Sequence, residues 1–256
     1  YEIGVRLVGS EMCIRDSHPQ ALLVTGAFTN RYYAAGLQPR TAEGNPYGEG
    51  YYDDFNTAVG LDSAGHTQLH HKGKLVIGVE NTPTVIFDLM QFLVIDLGGV
   101  VGQIGMGQHG TAFGHAGMRM GPAICYEGLY GDFYGDFVRR GAQFMAIISN
   151  DGWWGDTPGY KHLFTISRLR AIEHRRAIAR SANTGMSGFI SARGDIGETL
   201  GWEKRGVISA AVPLNSELTF YTRYGDYLGR ISEYLTLLCV LYYIAYRVKR
   251  KNYLVK

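Results

Sequence analysis

GPAICYE, residues 121–127, is an apolar run that stops on a cysteine, with a carboxylate two residues further on. Its length and composition fit a buried strand. GLYGD (residues 128–132) and a helical pattern over about residues 129–140 follow at once, so Cys125 stands at a strand-to-helix corner. A sharp corner of this kind exposes the side chain and turns backbone N–H groups, that of Tyr126 first, toward a developing oxyanion. The nearby helix N-terminus favours the thiolate. A lone cysteine on an apolar strand also has a plain reading as a small buried hydrophobe, and only its neighbours separate the two.

Working outward, QFMAIIS (residues 143–149) has the isoleucine-rich character of a strand covered on both faces. Residues 160–181 carry Leu163, Ile166, Leu169, Ile172 and Ile178 at near-helical spacing, with arginines on the other face, which predicts one long helix. Further strands are expected at residues 185–192 and 207–212, and upstream at 21–28 and 55–61. A turn at residues 62–65 leads to HKGKLV (71–76), and a glycine-rich connection runs over about residues 81–117. Strands punctuated by helices indicate an α/β layered domain.

The chain has 256 residues, 46% hydrophobic and 19% charged, enough for one sizeable core. Its 25 basic and 23 acidic residues leave a formal charge of +2, so no long-range field gathers nucleic acid and none is expected as a partner. Cys13, Cys125 and Cys239 lie far apart, with neither zinc-site spacing nor the density of a disulfide framework. The clusters His70-His71 and His109/His115 have no carboxylate or thiolate at ligand spacing, so no metal site is assigned.

The two ends differ from the middle. Residues 1–17 show no periodicity, and Glu2, Arg6 and Glu11 interrupt any signal-peptide core, so they are expected to be a non-native leader. Residues 234–246 are uniformly apolar and residues 247–251 are strongly basic. Thirteen apolar residues are fewer than the roughly 20 a membrane helix needs, but a helix over residues 228–247 suffices if Arg230 and Glu233 lie at the interface. The basic tail, residues 248–256, then faces the cytoplasm and the domain of residues 18–227 the opposite side. A buried C-terminal core helix is the competing reading.

A nucleophilic thiol needs a base and a holder for negative charge, and Lys72 with Glu80 in HKGKLVIGVE is a candidate pair. Spacing alone equally allows a solvated lysine and a bystander carboxylate. Three segments together resemble the nitrilase (carbon–nitrogen hydrolase) superfamily: HKGKL at residues 71–75, ICYE at 124–127 and SNDGWWGD at 149–156. Within it, the chain is similar to the apolipoprotein N-acyltransferase family. The residues that carry this likeness are Lys72 to Glu80, His162 with the RLRAIE run (168–173), RSANTGMSG (180–188), YTRYGD (221–226) and the terminal apolar helix.

The resemblance implies an α-β-β-α sandwich with a C-terminal transmembrane helix, held in the bacterial inner membrane with the catalytic domain on the periplasmic side. It implies Cys125 as nucleophile, Lys72 as catalytic lysine, Glu80 and Glu127 beside them, and Tyr126 and Trp153 in the oxyanion site or pocket. The implied reaction moves an acyl chain from a phospholipid donor, through a cysteine thioester, to the amine of an N-terminal S-diacylglyceryl-cysteine on an apolipoprotein. No metal or organic cofactor is implied. The family's general-base glutamate belongs upstream of about residue 21, where nothing matches; Glu2 and Glu11 lack the expected setting. Several preceding membrane helices are also unmatched, so a truncated catalytic portion is expected.

Two patterns are set aside. GMGQHG (105–110) has dinucleotide-site spacing but no helix after it, and TGMSG (184–188) lacks the spacing of a serine elbow. Trp153 and Trp154 read either as core aromatics or as the lining of a lipid pocket. The rival functions are a nitrilase-type amidase hydrolysing small amides and a non-catalytic, membrane-tethered lipid-binding domain.

Overall fold

Residues 51–61, YYDDFNTAVGL, are rich in aromatic and β-branched side chains, and in the computed structural model they form the central strand of the first sheet. The structure describes residues 18, 20–46, 48–76, 80 and 104–254. This strand, β3 (Tyr51–Leu61), pairs antiparallel along its whole length with β1 (Leu23–Tyr33), Leu23 opposite Leu61 and Tyr33 opposite Tyr51. Every residue of β1 as far as Tyr33 has a ladder partner, which is why the strand outruns the 21–28 expected. The other edge of β3 takes β2 (Glu43–Gly44) and β4 (Thr67–His71), with Thr57 opposite His71.

The second sheet has the order β10-β9-β8-β7-β6-β5. Its members are β5 (Phe113–His115), β6 (Met118–Ile124), β7 (Phe144–Ser149), β8 (Ile178–Ala182), β9 (Ser187–Ile190) and β10 (Ile196–Leu200). Strands β6, β7 and β8 run parallel and the flanking pairs antiparallel. Helix α1 (Gly131–Arg139) connects β6 to β7, and α2 (Pro158–His174) connects β7 to β8.

Strand β7 shows how the layers meet. Met145 and Ile147 face a core shared with Tyr134, Phe137 and Val138 of α1 and Phe164 and Ala171 of α2. Phe144, Ala146 and Ile148 face the other way, toward Val24 and Ala58 of the first sheet. Both faces are covered, as the isoleucine-rich run predicts, and each fully buried large apolar side chain contributes about 1.5–3 kcal/mol. The sheet–sheet–helix part of the expected α-β-β-α sandwich is thereby present; a second helical layer is not among the described residues.

Two expectations are corrected. The helix predicted over residues 160–181 stops at His174, because Arg175 adopts φ 51° and ψ 47°, a left-handed cap that ends the ladder. Ile178, which fits the helical spacing, instead lies in β8 beside Met145. The arginine face is not solvated as a whole: Arg170, Arg176 and Arg180 are buried while Leu169 and Ile172 are exposed. Arg176 donates to the carbonyls of Ala142, His174, Arg175 and Glu217 at 2.7–3.2 Å, stitching turns together. Residues 207–212 form no strand; β10 is the edge strand instead, its weakly apolar IGETL held by pairing to β9. The glycine-rich connection lies outside the described residues up to position 103.

After the second sheet come the short helix α3 (Phe220–Tyr224) and the long helix α4 (Tyr227–Leu254). The stretch Tyr227–Arg247 has a mean hydropathy of 1.3 and none of it is buried, which removes the core-helix reading. His174, fully buried, ties this end of the chain to the domain. Its Nδ1 lies 2.9 Å from the Thr222 hydroxyl, and its Nε2 donates to the Gly131 carbonyl at 3.1 Å. Burial, first, and the nearby Arg170 guanidinium lower its pKa from 6.5 to about 3.

The unfolded chain takes up a proton on this imidazole below about pH 6.5 and the folded chain does not, so stability is full above that value and falls with pH. In detergent micelles, urea midpoints measured between about pH 6.5 and 5 are expected to decline more steeply for the parent than for His174→Gln, by up to about 1.4 kcal/mol per pH unit. Equal slopes would mean that this histidine is not held neutral.

Candidate active site

Strand β6 ends at Ile124, and the chain turns at Cys125 into a 3-10 helix, Cys125–Leu129. Cys125 has φ 43°, a left-handed conformation that a side chain adopts only when its surroundings enforce it. The enforcing group is Glu127. Its carboxyl is fully buried, and it accepts the backbone N–H of Ile124 at 2.7 Å and that of Gly73 at 2.6 Å. His70 Nε2 adds a third donor, 3.1 Å from both oxygens. The residue before the cysteine and the residue after Lys72 therefore grip one carboxyl group. Cys125 itself is half-buried and unpaired with any thiol.

Lys72 follows β4 directly and is 2% exposed. Its Nζ donates to both oxygens of Glu80, at 2.9 and 2.8 Å. Glu80 is itself fixed, accepting from Asn56 Nδ2 at 2.9 Å and from the Val76 N–H at 2.8 Å. The solvated-lysine reading does not survive, and the eight-residue separation becomes a closed loop around an ion pair. Removing one partner of such a pair strands the other in low dielectric. Because Glu80 keeps some contact with water, Glu80→Gln is expected to cost about 2 kcal/mol, a fall in Tm of about 4–8 °C by thermal melting in detergent.

The next strand ends complete the rim. Asp151, after β7, is fully buried; it accepts Arg180 Nη2 at 2.9 and 2.8 Å and is hydrogen-bonded by the Ser149 hydroxyl. A Cβ at Gly185 would come within 2.1 Å of the Asp151 carboxylate, so only glycine fits there. Asn150 Oδ1 accepts from Asn183 Nδ2 at 2.8 Å, linking the ends of β7 and β8. Cys125, Asn150 and Asn183 thus follow the carboxyl ends of three adjacent parallel strands, where open α/β sheets place their ligands. Trp153 and Trp154, in the 3-10 turn Gly152–Trp154, are 41% and 42% exposed, rim residues rather than core. The Tyr126 ring packs edge-on against Tyr130, with centroids 5.7 Å apart.

Sequence reasoning named Cys125, Lys72, Glu80, Tyr126, Glu127 and Trp153, and the structure brings the first five onto one corner and its lysine loop. It missed His70 and Asn56. The doublet His70-His71 reads as a metal candidate, but a two-residue spacing also sets His70 and Lys72 on one side of an extended segment. Asn56 carries no local signal. The glycines of GMGQHG serve packing: a Cβ at Gly107 would approach the His71 carbonyl to 2.1 Å. Glu2 and Glu11 lie outside the described residues.

Residues 18–218 match the model of the carbon-nitrogen hydrolase family. The chain belongs to that family. Curated relatives of this carbon-nitrogen hydrolase include the apolipoprotein N-acyltransferase of Chlorobaculum tepidum, 36% identical over 181 residues, which are 68% of this chain and 34% of that protein. The apolipoprotein N-acyltransferase of Verminephrobacter eiseniae is 33% identical over 187 residues, 71% of this chain and 34% of its own length. The chain thus spans about a third of the length of these relatives. Among solved structures, an amidase from Nesterenkonia sp. superposes with a TM-score of 0.51 at 14% identity, over 87% of this chain and 70% of that one. At that identity the likeness concerns the nitrilase-superfamily fold alone.

Proposed function

We propose that this chain is the catalytic portion of a membrane-bound acyltransferase that moves a phospholipid acyl chain to the N-terminal amine of S-diacylglyceryl-cysteine lipoproteins. The observation that carries the reading is the Glu127 clamp, which joins the loop of Lys72 to the corner of Cys125. In the first half, Cys125 Sγ attacks the carbonyl carbon of a phospholipid ester. The C–S bond forms, the ester C–O bond breaks, and the thiol's proton leaves with the lysophospholipid alkoxide. The Tyr126 N–H and the Lys72 ammonium hold the oxyanion between these events, each donor worth about 2.7–4 kcal/mol.

In the second half the lipoprotein's α-amine attacks the thioester. The C–N bond forms, the C–S bond breaks, and one amine proton returns to the sulfur. Glu80 keeps Lys72 aimed, Glu127 keeps the corner shut, and Trp153 lines the lipid path. The general-base glutamate that the family implies is not assigned to any described residue, and removing such a base costs about 10²–10⁴ in rate. The helix Tyr227–Arg247 is the anchor in the bacterial inner membrane, with the domain periplasmic and the basic tail cytoplasmic.

The test uses vesicles of phosphatidylethanolamine and phosphatidylglycerol, with the chain alone and with the upstream part of its reading frame restored. Peptide mass spectrometry is expected to find an acyl adduct on Cys125 that a diacylglyceryl-cysteine peptide discharges. Ammonia release from small amides, without such an adduct, would establish the amidase instead. Neither activity in the restored protein would leave a lipid-binding domain.

A further inference from the structure

Helix α3 is inside-out. Its buried residue is Thr222, fully enclosed, while Phe220 is 61% and Tyr224 57% exposed. A helix on a water-facing surface does the reverse. The polar side is not a frayed end: Thr222 meets His174 Nδ1 at 2.9 Å and the Thr219 hydroxyl at 2.8 Å, and its carbonyl accepts from Arg139 at 2.9 Å. Thr219 is the helix cap and also donates to the Glu173 carbonyl at 2.6 Å.

The exposed side is ordered as well. The Phe220 ring lies 4.5 Å from that of Tyr224 and 5.1 Å from that of Tyr227, so three aromatics form one outward patch, continued by Leu228. The turn between the helices is pinned, with the Asp226 N–H donating to Asp132 at 3.0 Å. Gly225 adopts φ 68° against that same carboxylate.

Length places this patch. The 21 residues Tyr227–Arg247 rise about 31 Å as a helix, nearly the roughly 30 Å of bilayer hydrocarbon. Tyr227 must then stand at the hydrocarbon boundary, because the uniformly apolar residues 234–246 alone are too short to span. Arg230 is turned back onto the carbonyls of Asp226 and Tyr224, as an interfacial arginine would be. Tyrosine at that depth matches the aromatic belts of membrane proteins, and phenylalanine and leucine are residues that interfacial helices bury.

We infer that residues 219–228 are an interfacial foot: Phe220, Tyr224 and Leu228 seat in the headgroup–acyl boundary of a lipid bilayer, while Thr222 fastens the foot to the domain. Through His174 Nε2 and the Gly131 carbonyl the fastening reaches the start of α1, one short turn after the cysteine corner, so the foot sets the height of that corner above the lipid. The inference rests on α4 being a membrane span, and the test separates the two.

A photo-activatable benzoylphenylalanine is placed at position 220, 224, 238 or 207, one per preparation, with the chain in vesicles of phosphatidylethanolamine and phosphatidylglycerol. Adducts are identified by mass spectrometry. Lipid adducts are expected at 220 and 224, in at least about tenfold excess over those at the water-exposed position 207, and at 238 within the span. Lipid adducts at 238 with none at 220 or 224 would sink the foot and leave the span. No lipid adduct at any of the four sites would sink the span and the foot together. Peptide adducts replacing lipid at 220 and 224 would make the patch a protein–protein contact and overturn the inference.

Discussion

A chain carrying Cys125→Ala is expected to form no acyl adduct and to lose at least about 10⁴ of any transfer rate, since removal of a covalent nucleophile leaves only the rate from binding and oxyanion stabilisation. Cys125→Ser is the sharper companion: it keeps volume and backbone but offers a hydroxyl that is a poor nucleophile unless a base activates it. The other free thiol among the described residues, Cys239, lies on α4 within the proposed membrane span. The measurement is peptide mapping after incubation with phospholipid vesicles, alongside circular dichroism to show that the variant is folded. An adduct that persists in Cys125→Ala, or one confined to Cys239, would dispose of the proposed thioester.

Glu127→Ala is expected to be the most damaging substitution for stability. It leaves three donors in the interior without an acceptor: the N–H groups of Gly73 and Ile124 and the His70 Nε2–H. Each orphaned buried donor costs about 1–3 kcal/mol, so the loss is about 3–9 kcal/mol, or a fall in Tm of about 6–36 °C for a domain of this size. His70 has no slack to re-pair, because its Nδ1 is already buried with no hydrogen-bond partner among the described residues. Glu127→Gln retains one carbonyl oxygen and is expected to lose roughly half as much. Glu127 is a positioning group in this account, so the second readout is chemical. Alkylation of Cys125 by iodoacetamide is expected to change rate in both variants even at temperatures where they remain folded, as the left-handed corner relaxes. Wild-type melting and wild-type alkylation in Glu127→Ala would show that the clamp holds nothing.

Much of the architecture was legible in local pattern. The isoleucine-rich apolar run marked β7, the apolar run that stops on the cysteine marked the end of β6, and the apolar terminal run marked α4. Where the reading failed, it failed for tertiary reasons. Ile178 satisfies the helical spacing, but the left-handed cap at Arg175 ends α2 and pairing to β7 makes the following residues a strand. The stretch 207–212 has strand-like composition, but β9 takes the weaker IGETL segment as its neighbour, because a ladder partner outweighs propensity. Arg176 and Arg180, which the spacing sets on the other face of that helix, go inside because backbone carbonyls and Asp151 accept from them there.

By itself the sequence determined which residue types stand where chemistry could be placed and roughly where strand gives way to helix, since both depend on neighbours within a few positions. It put the thiol at a corner and a lysine and a glutamate eight residues apart in another segment. Only the tertiary structure decided that the two segments meet. The deciding bonds run from Glu127 to His70 and Gly73, 57 and 54 residues away along the chain. No periodicity reaches that far, because a hydrogen bond across such a distance exists only after the two sheets have packed and closed water out. The same holds for the inside-out helix at the foot of α4: Thr222 is an ordinary polar residue until His174 arrives from another helix to meet it.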